Sequence, residues 1–388
     1  MRVLVASTAG AGHFGPLVPV ARACVRAGHE VAVAAPESFA AEVTGAGFVH
    51  RPFADVPRDV LGAVMGRLPT LSMEEANRVV VAEVFGRLDA QAALAGVTAT
   101  VEEWRPDLVL REPTEFGSLA AALAAEIPQV VVAVGVASLM EQVGAMVAEP
   151  LAELDTLAGL ALGTCSAAIR TAPTLTSVPP VLDEVRPSDA EHRGPVHRYR
   201  VPVAPSEGRL PGAWGDPAQP LVYVSFGSVA AALPHFAPVY PAVLDALADQ
   251  PVRVLLTTGR GVAVDELTVP PNACVEQWWP QDDVMAQAAA VVGHGGFGTT
   301  MAALVAGVPQ VVLPLFAMDQ FVNADHVAAV GAGVTVPGGV AGVDELPAAL
   351  ARVLQDDRYR LAARSVADQM AGLPPVTAVV PVLEELVG

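Results

Sequence analysis

Short, continuously apolar segments alternate with longer helical patterns along the whole chain. Strands that are apolar on both faces occur in parallel sheets with helices packed on each side, so this alternation predicts an α/β fold. The clearest predicted strands are Arg2–Ser7, Glu30–Ala35, Leu108–Leu110, Gln129–Ala133, Leu221–Ser225, Val252–Thr257, Val291–Gly293 and Gln310–Pro314.

The chain also repeats its own order of elements. A strand, a glycine-containing turn and a His-Phe-Gly-Pro sequence occupy residues 3–20, and a similar series with His-Phe-Ala-Pro occupies residues 222–242. Farther along, residues 106–132 and 290–313 share a strand, a helix and a second strand that begins Pro-Gln-Val-Val. Two matches in the same order predict two Rossmann-like halves of similar topology.

Composition suggests where these halves begin and end. Residues 201–219 are rich in proline and glycine and are predicted to be a linker, which leaves residues 1–200 as an N-terminal domain and 220–372 as a C-terminal domain. In residues 373–388, two prolines precede a helical pattern that we expect to return to the N-terminal domain. Because doubly wound folds bind ligands at the carboxyl ends of their strands, we expect the two domains to face each other across a ligand-binding cleft.

The charge of the chain excludes several classes of partner. Its 22 basic residues, all arginine, stand against 41 acidic ones, which gives a formal net charge of −19. A strongly acidic surface repels phosphate backbones and anionic lipids, so we expect neither a nucleic acid nor a membrane partner. Cys24, Cys165 and Cys274 lack paired spacing, and neither a signal peptide nor a membrane-spanning stretch is apparent, so a cytoplasmic protein is expected.

A glycine-rich turn follows the predicted strand at residues 291–293. It comprises His294, Gly295, Gly296 and Gly298, and leads to Thr299 and Thr300, where a helix is predicted to begin. Glycine lets backbone N–H groups approach an anion, a helix N-terminus favours negative charge, and histidine and threonine side chains donate hydrogen bonds. The pattern is typical of a phosphate-binding loop that uses neither lysine nor metal, although the glycines alone also fit a tight strand-to-helix turn.

A second glycine-rich turn, Gly10–Gly15, follows the first predicted strand. It reads G-x-G-x-x-G, and Glu37 lies about 20 residues farther on, as in a dinucleotide-binding site. An NAD(P)-dependent oxidoreductase is therefore one alternative, although the long turn and the position of Pro16 count against it. His13 offers another use of this turn, because imidazole titrates near neutral pH and can remove a proton from a hydroxyl group.

The stretch from Trp278 to Asp325 carries the most specific motif. Trp278-Trp279-Pro280-Gln281 precedes the phosphate-binding turn, and Asp319 and Gln320 follow it. On these residues, together with the His13 turn and the C-terminal helix, the chain resembles the nucleotide-sugar-dependent glycosyltransferases of the GT-B fold. Within that group it is similar to bacterial, actinobacterial-type enzymes that glycosylate antibiotics and related natural products.

The resemblance implies a role for each of these residues. The nucleoside would contact Trp278, Trp279 and Gln281; the diphosphate would contact Ser228, His294, Gly295, Gly296, Gly298, Thr299 and Thr300; and the sugar hydroxyls would contact Asp319 and Gln320. His13 would be the catalytic base, oriented by Glu112 at the end of a later strand, with Glu115 as a second candidate. The family more often has aspartate at this position.

The reaction implied by the resemblance is an inverting transfer of a sugar to a small-molecule acceptor, without a cofactor. Many uridine-nucleotide users of the family have a glutamate a few residues after the diphosphate-binding turn, whereas residues 301–303 contain no carboxylate. We therefore expect a dTDP-sugar as donor rather than a UDP-sugar. Asp282-Asp283 and Asp356-Asp357 are adjacent pairs and lack the D-x-D spacing with which two carboxylates share a cation, so no metal is expected.

Helical, methionine-containing stretches in the N-terminal half are candidates for the acceptor pocket. The candidate lining residues are Phe14, Met65, Met73, Met140 and Met146, and each methionine also fits simple core packing. A non-catalytic nucleotide-binding protein that activates another enzyme is an alternative of a different class, and His13 counts against it. The sequence leaves open a homodimer and an activating auxiliary protein.

Overall fold

Two parallel β-sheets organise the chain, and each belongs to a separate unit. The structure, a computed structural model, describes residues 1–183, 194–203 and 206–388. These residues divide into a first unit, made of Met1–Val178, Asp183–Pro202 and Leu373–Gly388, and a second unit, made of Pro179–Leu182 and Val203–Gly372. The predicted linker 201–219 includes residues 204 and 205, and the predicted first domain includes residues 184–193. Both segments lie outside the described residues, so the predicted boundaries stay predictions.

The first unit alternates strands and helices. Its strands are β1 (Arg2–Ala6), β2 (Glu30–Pro36), β3 (Val49–Phe53), β4 (Leu108–Arg111), β5 (Gln129–Val132), β6 (Thr174–Thr176) and β7 (Val196–Arg198). Its helices are α1 (Ala11–Phe14), α2 (Leu17–Arg26), α3 (Ala40–Gly45), α4 (Arg58–Met65), α5 (Met73–Val79), α6 (Ala90–Trp104), α7 (Phe116–Ala124), α8 (Ala137–Met146), α9 (Ala148–Leu157) and α10 (Thr164–Thr171). A π-helical segment (Val80–Asp89) joins α5 to α6.

The strands of the first sheet are apolar on both faces because helices cover both faces. In β1, Val3 and Val5 lie in the cluster that packs against α2, whereas Leu4 and Ala6 lie in the cluster that packs against α6. Alternate side chains of a strand point to opposite faces, so a strand buried on both sides needs an unbroken apolar run. This is the physical reason for the pattern seen in the sequence.

The second unit has the same construction. Its strands are β8 (Leu221–Ser225), β9 (Arg253–Thr257), β10 (Ala273–Glu276), β11 (Ala288–Gly293), β12 (Gln310–Val312) and β13 (Gly333–Thr335). Its helices are α11 (Val239–Leu247), α12 (Gln281–Met285), α13 (Phe297–Val305), α14 (Met318–Ala329), α15 (Leu346–Gln355) and α16 (Asp357–Ala371). Here Val222 and Val224 face the cluster that includes α11, while Leu221 and Tyr223 face the opposite cluster.

The last helix of the chain, α17 (Val379–Val387), belongs to the first unit. A short 3₁₀ turn at Val376–Ala378 precedes it. Val379, Val380 and Leu383 pack in the same cluster as the strands of the first sheet. Burying each of these side chains contributes about 1.5–3 kcal/mol. Among the described residues, no helix is both long and apolar enough to span a membrane.

Strand order positions the site. Within the described residues, the sheets run β3-β2-β1-β4-β5-β6-β7 and β10-β9-β8-β11-β12-β13, and all strand pairs are parallel. In each sheet the order reverses beside the first strand, between β1 and β4 and between β8 and β11. The prediction of two Rossmann-like, doubly wound units is confirmed. Ligands of such sheets bind beyond the carboxyl ends of the strands at these reversal points.

Candidate active site

The first group of candidate residues lies where the strand order of the first sheet reverses. His13 is in α1, the short helix after β1, and Glu112 is the first residue after β4. The Nδ1 atom of His13 lies 3.3 Å from Oε2 of Glu112. The structure thus brings together the two side chains for which the sequence predicts acid–base chemistry.

Glu112 is fully buried and is surrounded by hydrogen-bond donors. Its Oε1 accepts a hydrogen bond from Thr8 Oγ1 at 3.0 Å, and its Oε2 accepts one from the backbone N–H of Thr114 at 2.7 Å. Burial alone would raise the pKa of Glu112, but the charge of His13 and hydrogen bonds from His13 and Thr114 outweigh burial and hold this pKa below its ordinary value. The carboxylate therefore stays ionised at neutral pH, beside a histidine that is 25% exposed.

Glu115, the second candidate partner, makes a different contact. Its carboxylate accepts a hydrogen bond from the backbone N–H of Ser118 at 2.8 Å and so caps the N-terminus of α7. Burial raises the pKa of Glu115. The buried guanidinium of Arg111 donates to the carbonyl groups of Glu112 and Pro113 at 3.3 Å, which supports the loop between the two glutamates.

The π-helical segment contributes residues to this site that the sequence does not predict. The ring of Phe85 lies 5.3 Å from the ring of His13, measured between centroids. Burial, and after it the negative charges of Glu112 and Glu115, raise the pKa of Asp89, the last residue of the segment, to about 7. π-Helical turns are rare and are frequent at functional sites. No sequence signal could have found this one, because its apolar spacing also fits an α-helix.

The residues predicted to line an acceptor pocket do not share one environment. Phe14 is 5% exposed and packs edge-on against Phe39 and Phe48. This packing assigns Phe14 to the core rather than to a pocket. The four methionines lie on helices and are exposed or half-buried: Met65, Met73, Met140 and Met146. Their contact with an acceptor stays a prediction.

The second group of candidate residues lies at the corresponding reversal point of the second sheet. His294 directly follows β11, and Ser228, which is exposed, lies in the turn after β8. Gly227 in that turn has a φ of +73°, and a Cβ atom there would lie 2.8 Å from the ring of His294. Only glycine therefore lets the two loops approach each other.

His294 is a neutral side chain in these surroundings. Burial lowers the pKa of His294 to about 4, against a smaller opposite effect of a hydrogen bond with the backbone of Ser225. Its Nδ1 atom is buried and, among the described residues, has no hydrogen-bond partner. Because an unsatisfied buried polar atom costs free energy, this nitrogen is well suited to a ligand.

The first turn of α13 provides further donors. Gly296 is the N-cap residue, so no side chain occupies the backbone N–H groups that open the helix. Gly298 is exposed, whereas Thr299 and Thr300 are 9% and 5% exposed. Open N–H groups and the positive end of the helix dipole together favour an anion at this position. This is the turn in which the sequence predicts diphosphate binding.

Two side chains of α14 support the same turn. Gln320 is 3% exposed, and its Oε1 accepts hydrogen bonds from the backbone N–H groups of residues 315–316 at 2.8 and 3.1 Å. Asn323, for which the sequence predicts no role, donates to the carbonyl of Gly295 at 2.8 Å. Asp319 lies in the first turn of α14 and is half-buried. The structure therefore gives Gln320 a loop-supporting contact, and the predicted sugar contacts of Asp319 and Gln320 stay predictions.

The residues predicted to contact the nucleoside differ in their surroundings. Trp278 is 73% exposed, so its indole face is open to a planar ligand. The indole N–H of Trp279 donates to the carbonyl of Arg209 at 2.8 Å. Nε2 of Gln281 donates to Thr299 Oγ1 at 3.1 Å, which links this segment to the first turn of α13.

Similarity to known proteins extends over nearly the whole chain. Residues 22–192 match the N-terminal domain, and residues 241–386 the C-terminal domain, of the family described as erythromycin biosynthesis protein CIII-like. The L-demethylnoviosyl transferase of Streptomyces niveus is 34% identical over 384 residues, which cover 96% of this chain and 95% of that protein. The chain belongs to the family of actinobacterial natural-product glycosyltransferases.

Two further relatives of this glycosyltransferase agree with the assignment. The elloramycin glycosyltransferase ElmGT of Streptomyces olivaceus is 32% identical, with coverage of 96% of this chain and 94% of that protein. The crystal structure of the glycosyltransferase SnogD from Streptomyces nogalater superimposes with a TM-score of 0.76 at 27% identity, over 100% of this chain and 99% of that one. The chain is a nucleotide-sugar glycosyltransferase of the GT-B fold, and the oxidoreductase and non-catalytic alternatives are set aside.

Proposed function

We propose that this glycosyltransferase moves a deoxysugar from a dTDP-sugar to a hydroxyl group of a small natural-product acceptor, with inversion at the anomeric carbon and without a metal ion. His13 is the general base. The observation that carries the proposal is the buried, ionised Glu112 beside Nδ1 of His13. A carboxylate at Nδ1 favours the tautomer in which Nε2 is the basic nitrogen.

The chemistry follows from this pair. His13 takes the proton of the acceptor hydroxyl while the acceptor oxygen attacks the anomeric carbon, and the bond to the diphosphate oxygen breaks with its electrons leaving on dTDP. Attack from the face opposite the diphosphate inverts the configuration. The proton stays on the imidazole, whose positive charge Glu112 stabilises. A positioned base contributes roughly 10²–10⁴ in rate.

The second unit supplies the groups for the leaving diphosphate. We assign its negative charge to the first turn of α13, to Nδ1 of His294 and to the hydroxyl group of Ser228. A donor positioned on charge that develops in the transition state typically contributes about 3–4 kcal/mol. A neutral His294 suits this role, because it donates one N–H without bringing a buried positive charge.

The identity of donor and acceptor rests on two further observations. Residues 301–303 contain no carboxylate, which favours a nucleotide without a 2′-hydroxyl. The relatives are named for transfer of a demethylnoviosyl group and for glycosylation of elloramycin, both of which belong to small-molecule chemistry. Both observations fit a dTDP-activated sugar as donor and a small apolar molecule as acceptor.

The test begins with calorimetric titration of dTDP and UDP into the wild-type protein and a His294→Ala variant. We expect dTDP to bind more tightly than UDP, and the variant to lose much of this affinity. Transfer from a panel of dTDP-sugars is then measured with and without EDTA, and the anomeric configuration of the product is read by NMR. Retention of configuration, loss of transfer in EDTA, or preference for UDP would each contradict the corresponding part of the proposal.

A further inference from the structure

Thr114 lies at the centre of the contacts between His13 and Glu112. It follows Glu112 by two residues in the loop after β4 and is 6% exposed. Its Oγ1 atom is 2.9 Å from both carboxylate oxygens of Glu112 and 3.2 Å from Nδ1 of His13. One hydroxyl group thus touches both members of the pair.

The hydrogen atoms of this group can be assigned by counting donors and acceptors. A threonine hydroxyl has one hydrogen to donate and two lone pairs to accept with, and an ionised carboxylate can only accept. Thr114 therefore donates its hydrogen to Glu112. Toward His13 it can then only accept, so the proton of the neutral imidazole must be on Nδ1. Oε2 of Glu112, at 3.3 Å, accepts from the same N–H.

We propose that Thr114 is a positioning residue that holds His13 in the Nδ1–H tautomer, with Nε2 as the nitrogen that accepts the proton of the acceptor. The inference rests on the function proposed above, because it concerns the base of that reaction. Thr114 acts on the reaction only through His13 and Glu112.

Thr8 provides the natural comparison. Its hydroxyl donates to Oε1 of Glu112 at 3.0 Å, so it anchors the carboxylate from the loop after β1. Thr114, by contrast, contacts Nδ1 of His13 as well as the carboxylate of Glu112. Loss of the Thr8 hydroxyl should therefore weaken the anchor of Glu112 but leave Thr114 Oγ1 as an acceptor for Nδ1–H of His13. We expect the effect on kcat to be smaller than that of losing the Thr114 hydroxyl.

The test compares Thr114→Val, which keeps the shape of the side chain, with Thr114→Ser, which restores the hydroxyl. Thr100→Val serves as the control, because Thr100 is also buried and lies on α6 outside these loops. Loss of a hydrogen bond to a charged pair corresponds to about a 10- to 100-fold effect. We expect kcat to fall by about this factor in Thr114→Val with little change in either KM, while Thr114→Ser and Thr100→Val stay near wild type.

A spectroscopic measurement separates this inference from the proposed function. The tautomer of His13 is read by NMR on protein labelled with ¹⁵N-histidine, with His13→Gln to assign the signal. Dominant Nδ1–H in the wild type, with a larger share of Nε2–H in Thr114→Val, supports the inference, because only Glu112 then accepts from Nδ1–H. An unchanged tautomer together with an unchanged kcat overturns it. Thr114→Ala repeats the removal with a smaller side chain if the valine variant misfolds.

The two failures are distinguishable. If His13→Ala retains wild-type turnover, then the base of the proposed function is wrong, whatever the tautomer measurement shows. If His13→Ala is inactive but the valine and alanine variants of Thr114 keep both kcat and the tautomer, then only the role of Thr114 is wrong.

Discussion

His13 and His294 each follow a strand that borders the reversal point of its sheet, yet the protein surrounds them differently. His13 is partly exposed and lies against the buried carboxylate of Glu112. The pKa of His294 is lowered to about 4 by burial, and its ring lies against the backbone of a glycine turn. In the proposed mechanism, histidine therefore has two different roles in one protein. A carboxylate neighbour makes an imidazole a base, whereas burial keeps it a neutral donor.

The largest expected effect distinguishes the two histidines by kinetics. His13→Ala removes the proposed base, so we expect kcat to fall by about 10²–10⁴ while dTDP affinity stays within about twofold of wild type. Steady-state kinetics and calorimetry on the same preparation measure both quantities. His29→Ala is the control, because His29 is a largely buried histidine of the first unit that pairs with Glu384 and is not a candidate site residue. A variant that bound dTDP poorly, or turned over normally, would remove the contrast between the two sites.

His294→Ala should give the opposite result. Loss of a hydrogen bond to a charged ligand costs about 1.5–3 kcal/mol, so we expect dTDP to bind about 10- to 150-fold more weakly. Because the pKa of His294 in the free protein is about 4, the side chain is already neutral at pH 6. The ratio of the two dissociation constants should then stay flat between pH 6 and pH 8. A ratio that rises steeply toward pH 6 would mean that a positively charged His294 holds the diphosphate.

The interior strands of both sheets, except the three-residue β6, could be predicted from sequence, and the edge strands could not. β1, β2, β4, β8 and β11 are buried on both faces, which imposes an apolar run that is visible without a structure. β3 is an edge strand whose His50, Arg51 and Pro52 reach the surface. β7, β10 and β13 are also at edges and are three or four residues long. A half-exposed edge strand does not require the continuous apolar run from which the buried strands are predicted.

The candidate site divides in a similar way. His13 and Glu112 could be proposed because each directly follows a predicted strand and a motif surrounds His13. Phe85 and Asp89 could not, because they reach His13 only through the tertiary packing of a π-helical segment. The contact of Gln281 with Thr299 likewise depends on how α12 packs beside α13, which no local pattern encodes.

Asp89 tests how burial, together with the negative charges of Glu112 and Glu115, affects the stability of the His13 side. Its folded-state pKa of about 7 exceeds the ordinary value of 3.8. At a pH between these two values, Asp89 is protonated in the folded protein and ionised in the unfolded chain. Stability therefore falls as pH rises from about 4 to about 7 and stays lower above that. Asp89→Asn removes this loss. We therefore expect the variant to be more stable than wild type at pH 8 by about 2 kcal/mol. This is half of the free energy that corresponds to the full pKa shift, because the side chain is partly exposed.

Chemical denaturation at pH 5 and pH 8 measures this difference. The gain of Asp89→Asn should be clearly smaller at pH 5, where Asp89 is mostly protonated in the folded wild type. Asp249→Asn is the control, since Asp249 is an exposed carboxylate of the second unit. An equal gain at both pH values would mean that the pKa of Asp89 is not raised in the folded protein.

The smallest expected effect concerns Gln281 and the surroundings of His294. Nε2 of Gln281 donates to Thr299 Oγ1 at 3.1 Å and lies 3.4 Å from the hydroxyl of Tyr223. A threonine hydroxyl that accepts from Gln281 keeps its own hydrogen to donate to an anion. Gln281→Ala should therefore weaken dTDP binding by about 2- to 10-fold, the range of a neutral hydrogen bond. Gln277→Ala, at an exposed position in the same segment, is the control.

A double-mutant cycle with Thr299→Val decides between this role and the nucleoside contact predicted from sequence. If Gln281 acts through Thr299, its substitution has little further effect once the hydroxyl is gone, and thymidine without phosphates binds the variant and wild type equally. If Gln281 contacts the base, the two substitutions add, and thymidine binding weakens as much as dTDP binding. The cycle thus shows whether the donor side, like the His13 side, depends on a second polar side chain to direct a hydrogen atom.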